Sequence, residues 1–137
     1  MPAISGVAHV ELSVSNLDAS VKWYEALLAA RDVFRGADEH EQITDCAIFE
    51  PVSKTVLAFT EHQRKEGGPF TPRRTGLDHL CFGVASEAEL RAWLDHLADL
   101  SVPNSGIQDY GYGLAITCSD PDGIALEFMY SKPREQG

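Results

Sequence analysis

Long apolar runs, a basic stripe and a paired set of cysteines are all missing from this 137-residue chain. Its apolar stretches last only a handful of residues, well short of the roughly 20 that a membrane-spanning helix needs. The opening Met1-Pro2-Ala3-Ile4-Ser5 has neither a basic n-region nor a long apolar h-region, so no secretory signal is expected and the expected location is cytoplasmic. Eleven Lys plus Arg stand against 21 Asp plus Glu, a net charge of −10. Without a basic stripe to neutralise phosphates, nucleic acid is not an expected partner, and the acidic surface disfavours anionic membranes. The nearest basic features are the pairs Arg64-Lys65 and Arg73-Arg74, on either side of a Gly-Gly-Pro loop. Cys46, Cys81 and Cys118 are odd in number, far apart and outside CxxC spacing, so they read as reduced thiols.

What is present is an ordinary globular composition, 44% hydrophobic and 23% charged. A chain of this length buries about 68–70% of its unfolded surface, enough for a core without staples.

The organising feature is an internal repeat. Sliding the sequence by 70 residues lays Gly6 on Gly76, His9 on His79, Val14 on Val84, Trp23 on Trp93 and Leu27 on Leu97. Towards the end of each half the offset becomes 69, and Val56-Leu57-Ala58-Phe59 lies on Ala125-Leu126-Glu127-Phe128. Each half also reads alike locally. Alternation predicts a strand over Val7–Val14 and another over Leu77–Val84. Asn16 or Asp18 caps a helix carrying Val21, Tyr24, Leu27 and Leu28 at helical spacing, and Ser86 caps one carrying Leu90, Trp93, Leu94 and Leu97. Ser86 followed by Glu89 has capping-box spacing. Three strands follow each helix, near Arg31–Arg35, Ile43–Glu50 and Thr55–Thr60, then near Ile107–Tyr110, Leu114–Ser119 and Ile124–Tyr130. Asp120-Pro121-Asp122-Gly123 is a hairpin turn, residues 66–72 form a linker, and the polar tail from Ser131 is expected to fray. The expected class is therefore α+β, two βαβββ modules (about 5–66 and 73–131) in one domain.

Side chains alternate across a strand, so His9, Glu11 and Ser13 share one face, as do His79, Cys81 and Gly83. On the last strand Glu127 faces opposite to Leu126 and Phe128, which suit packing against a helix. If both modules join around one concave sheet, His9, His79 and Glu127 face together. Two neutral imidazoles and one carboxylate then form a facial site for a divalent metal with open positions. A lone strand histidine is more often a polar residue with a backbone partner, but two at equivalent positions of a repeat favour a shared site. Such a donor set favours iron(II) or manganese(II), with zinc(II) or nickel(II) also accommodated. Glu11 lies roughly 6–7 Å along the strand from His9, as a candidate catalytic base or as a solvated carboxylate at a cavity mouth. Cys81, Tyr110 and Tyr112 are candidate pocket walls, with Gly111 and Gly113 giving a mobile rim.

With these residues in view the chain resembles the vicinal oxygen chelate superfamily, which includes glyoxalase I, extradiol dioxygenases, fosfomycin resistance enzymes, methylmalonyl-CoA epimerase and bleomycin resistance proteins. The resemblance spans about Val7 to Tyr130. It rests on His9-Val10-Glu11-Leu12-Ser13-Val14 with Trp23-Tyr24, on Asp78-His79-Leu80-Cys81-Phe82, and above all on Asp120-Pro121-Asp122-Gly123-Ile124-Ala125-Leu126-Glu127. It implies paired modules forming an incomplete, cupped barrel-like sheet with helices outside, and metal ligands at His9, His79 and Glu127. It also implies a homodimer and a small-molecule substrate.

The same resemblance exposes departures. Glyoxalase I and the epimerase place a fourth ligand, a Glu, where the repeat places Ala58, and Glu61 beyond it lies on the opposite face. Fosfomycin enzymes carry a hydroxyl residue where this chain has Glu11, and a Tyr where it has Thr117. Extradiol dioxygenases carry a Tyr at that second position too. The expected function is a metal-dependent lyase, isomerase or dioxygenase (an oxidoreductase) acting on a small oxygenated substrate. The alternative is a metal-free, bleomycin-resistance-like binding protein, which the charge of −10 would suit for a cationic ligand.

Overall fold

The computed structural model describes residues 1–134 and divides into two compact units, Met1–Gly68 and Pro69–Gly137. The first unit runs β1 (Val10–Ser13), α1 (Leu17–Leu28), β2 (Arg31–Asp38), β3 (Ile43–Glu50) and β4 (Thr55–His62). The second runs β5 (Leu80–Gly83), α2 (Glu87–Asp99), β6 (Gln108–Asp109), β7 (Gly113–Ser119) and β8 (Ala125–Ser131). Each is a βαβββ module with a four-stranded sheet, ordered β1-β4-β3-β2 in one and β5-β8-β7-β6 in the other. The class is α+β, and the sequence repeat is a repeat of topology. Among the described residues no helix is long and apolar enough to cross a membrane.

The register explains the repeat residue by residue. In the first sheet Val10 pairs with Leu57 and Glu11 with Ala58; in the second Leu80 pairs with Leu126 and Cys81 with Glu127. Ala58 and Glu127 thus hold equivalent places. Gly6 and Gly76 match because both have φ in the region that only glycine adopts readily, +127° and +142°. These glycines precede strands that begin later than alternation predicts. The ladders open at Val10 and Leu80, so His9 and His79 stand one residue ahead of them. Both are edge strands of their sheets, paired on one side only and shorter than the partner strands they lie along.

The helices start where the caps predict. Asn16 accepts from the Ala19 N–H and Ser86 from the Glu89 N–H, each in extended backbone. Helix α1 buries Leu17, Val21, Tyr24, Leu27 and Leu28 against one face of its sheet. Helix α2 fully buries only Leu90 and Leu97, and Trp93 stacks on Phe128 at 4.1 Å between ring centroids. Leu126 and Phe128 lie on this helix side, as expected.

The corner before the last strand is built alike in both units. Asp120 accepts the Asp122 and Ile124 N–H groups at 2.9 and 2.8 Å, and Gly123 has φ +79°. Glu50 accepts the Val52 and Ser53 N–H groups at 2.9 and 2.7 Å. Because Ala47 pairs with Ala58 and Thr117 with Glu127, Glu50 and Asp120 are equivalent. The first corner is one residue longer, which is why the offset falls from 70 to 69.

The tail differs from expectation. Ser131 closes β8, the Lys132 N–H bonds Tyr112 O at 2.9 Å, and its ammonium reaches both oxygens of Asp109. Those bonds hold the chain where polarity alone predicted fraying; residues 135–137 lie outside the described residues.

Candidate functional site

In the first unit, the face of the sheet away from α1 carries His9, Glu11 and Ser13 on β1 and its approach, beside Ala58 and Thr60 on β4. Buried Thr60 donates its hydroxyl to Glu11 Oε1 at 2.7 Å. The other oxygen, Oε2, stands 3.8 Å from His9 Nε2, and both side chains are open to solvent. Ala58 lies next to Glu11 in the register, and nothing at that position can bind an ion or move a proton. Glu61 is occupied elsewhere: it accepts the first helical N–H of α1, that of Leu17, at 2.8 Å.

In the second unit, His79, Cys81 and Glu127 share the face away from α2. His79 Nδ1 is 2.7 Å from Asp78 Oδ1. A carboxylate accepts, so Nδ1 is the ring nitrogen that donates in this contact. The Cys81 thiol donates to Glu127 Oε1 at 3.5 Å. Desolvation, and then the Glu127 charge, push its pKa up to about 11, so near neutral pH it is a thiol and not a nucleophilic thiolate.

Beside this pair, an open hollow of about 590 Å³ lies over Thr117, Ser119 and Ala125, with Pro103, Asn104 and Ser105 as its wall. Thr117, on its lining, is the register partner of Glu127, which does not itself line the hollow. Tyr110 and Tyr112 stack on one another at 6.3 Å at the far edge of the same sheet, beyond the two-residue β6. Tyr110 faces Gly113 and Ser131, about 13 Å along the strands from Glu127. Neither tyrosine lines the hollow, and nor does Cys81. The expected mobile rim is a tethered turn. Asp109 accepts from the Gly111 N–H, Tyr110 N–H bonds Gly113 O, and a Cβ on Gly113 would lie 2.7 Å from Tyr130 O. Gly113 is there for close strand approach.

Among the described residues no three His, Cys, Asp or Glu side chains gather closely enough to hold a metal ion. Each unit offers one histidine, just ahead of its first strand, and one carboxylate on the strand pair that follows. As a donor set, two imidazoles with carboxylate oxygen suit a divalent first-row ion. Asp78 and Thr60, which orient donors, were not among the sequence candidates. Asp78 stands next to His79 in the chain, a signal that could have been used.

The glyoxalase/bleomycin resistance protein/dioxygenase superfamily model matches residues 6–128. No curated protein matches the chain. Among solved structures, a glyoxylase/bleomycin resistance protein/dioxygenase domain from Frankia sp. EAN1pec is 31% identical, with a TM-score of 0.85, over 95% of this chain and 100% of that one. A glyoxalase family protein from Enterococcus faecalis is 20% identical, with a TM-score of 0.73, over 91% and 97%. The genomically encoded fosfomycin resistance protein of Listeria monocytogenes, complexed with manganese(II) and sulfate, is 18% identical, with a TM-score of 0.67, over 95% of each chain. With the family model covering nearly the whole repeat, the chain belongs to the glyoxalase/bleomycin resistance protein/dioxygenase superfamily.

Proposed function

We propose that this chain is a divalent-metal-dependent vicinal oxygen chelate enzyme acting on a small oxygenated substrate, with His9, His79 and Glu127 as ligands. The observation that carries the reading is the Asp78–His79 pair, which engages Nδ1 and leaves Nε2 as the ring nitrogen available to an ion. A carboxylate behind a histidine is the usual device for fixing a metal-binding tautomer. The manganese(II) complex of the Listeria relative supports manganese among the candidate ions. Bound there, the ion would act as a Lewis acid on two adjacent substrate oxygens and make a neighbouring C–H or O–H proton more acidic.

The chain's own residues then divide the work. Thr60 fixes one oxygen of Glu11, leaving the other to take a substrate proton on the face shared with His9. The hollow beside Thr117 gives the substrate body a place bordered by hydroxyl groups. Because Ala58 stands where glyoxalase I has its ligating Glu, hemithioacetal isomerisation should be slow. Glu11 and Thr117 likewise argue against fosfomycin as the substrate. Three free cysteines suit a cytoplasmic protein, and we carry a homodimer forward as part of the reading, tested by light scattering.

The test is metal analysis of protein purified without chelator or affinity-tag nickel, followed by assays of hemithioacetal and catecholic substrates with iron, manganese, nickel and zinc. One ion per His-His-Glu set is expected. Wild-type protein that takes up none of the four overturns the reading in favour of a metal-free small-molecule-binding protein. Brisk hemithioacetal turnover that survives Glu11→Gln would show that another residue supplies the base.

A further inference from the structure

We infer that Glu11 is itself a metal donor, a fourth protein ligand standing one strand away from the place where Ala58 leaves none. The inference rests on the metal reading above and deepens it. Glu11 and Ala58 are register partners on adjacent parallel strands, whose axes lie about 4.8 Å apart, within reach of a Glu side chain. In the second unit the equivalent pair is Cys81 and Glu127, with the carboxylate on the other strand. Each unit therefore carries one carboxylate on this pair of strands and one histidine just ahead of it, and only the strand that carries the acid differs.

The geometry of the first unit suits chelation better than a simple ion pair. Glu11 Oε2 and His9 Nε2 are 3.8 Å apart, too far for a hydrogen bond. Two donors each about 2.1 Å from one ion, at 90–110°, stand about 3.0–3.4 Å apart. A few tenths of an ångström of side-chain rotation closes that difference, and both groups are exposed enough to make it. Meanwhile Thr60, buried and bonded to Oε1, turns Oε2 towards the imidazole.

The experiment is manganese(II) titration calorimetry on the intact chain, wild type against Glu11→Gln, with cobalt(II) absorption as a second readout. Glutamine keeps an oxygen for the Thr60 hydroxyl to bond, so a merely structural role leaves both readouts unchanged. Matching thermal midpoints for the two metal-free proteins confirm that the fold is intact. As a ligand, Glu11 should be worth at least the roughly 10–100-fold in affinity that supporting residues of metal sites contribute. Weakening of about tenfold or more, together with an altered cobalt spectrum, supports the inference. A smaller loss, or an unchanged spectrum, overturns it and leaves the three-ligand reading standing. Wild-type protein that binds no manganese(II) or cobalt(II) overturns both.

Discussion

The first unit fills the space between helix and sheet with Tyr24, wholly buried and tilted against Phe59 at 4.7 Å. The second fills it with a stack in which Phe128 lies between Phe82 and Trp93, at 5.4 and 4.1 Å. On the opposite faces the contrast is chemical: Glu11 and Ala58 in one, Cys81 and Glu127 in the other. Backbone pairing is nevertheless the same in both. Because side chains alternate across a strand, core and donors occupy opposite sides of each sheet, and either set can change while the other stays in place. The two units share a register and differ in what they hang on it.

The largest expected effect is on the donor faces. A His9→Ala, His79→Ala double variant should lose its metal entirely, as read by elemental analysis. Compared metal-free, its stability should stay within about 0.5 kcal/mol of wild type, because both side chains are exposed. Retention of full occupancy would show that the units do not pool their histidines.

Next come the two cores. Tyr24→Ala should cost about 3–5 kcal/mol in urea unfolding, as for other fully buried aromatics. Trp93→Ala should cost less, since Trp93 is only half-buried. Equal losses would erase the contrast between a filled core and a stacked one.

Smaller again are the helix starts. Asn16→Ala and Ser86→Ala should each cost about 1 kcal/mol. Glu61→Ala should weaken only the first unit, because the matching position in the second, Tyr130, provides no carboxylate for α2.

The smallest effect concerns pH. The Gly111 N–H and the Lys132 ammonium hold the Asp109 carboxyl below the usual carboxylate range. Its folded pKa lies below the unfolded one, so its contribution is present above the ordinary range and is lost as pH falls through the folded value. Asp109→Asn should therefore flatten the acid limb of a stability-versus-pH curve slightly. An unchanged limb would mean the pair contributes nothing.

Much of this plan was readable in the chain. The change of offset from 70 to 69 places Ala58 opposite Glu127 in the repeat, and the register shows the same pairing. Asn16, Ser86 and the Asp120 turn are local signals, set by side chains within four residues of the groups they bind. What escaped the reading depends on distant partners. Thr60 meets Glu11 across 49 residues, through a parallel pairing that no local pattern encodes. Lys132 ties down the Tyr110–Tyr112 turn from 23 residues beyond Asp109, so glycines that suggested movement belong to a fixed hairpin. Strand starts were set too early because alternation continues past the last ladder pair.

The two corners, Glu50–Thr55 and Asp120–Ile124, lead into strands with the same pairing although one is a residue longer. A carboxylate grips the backbone of each corner and takes up the length difference before the strand begins. The molecule thus already contains both outcomes of a one-residue insertion, and in each the donor face keeps its side of the sheet. One residue inserted after Pro121 would give this corner the length of Glu50–Thr55, and Glu127 would still face as it does now.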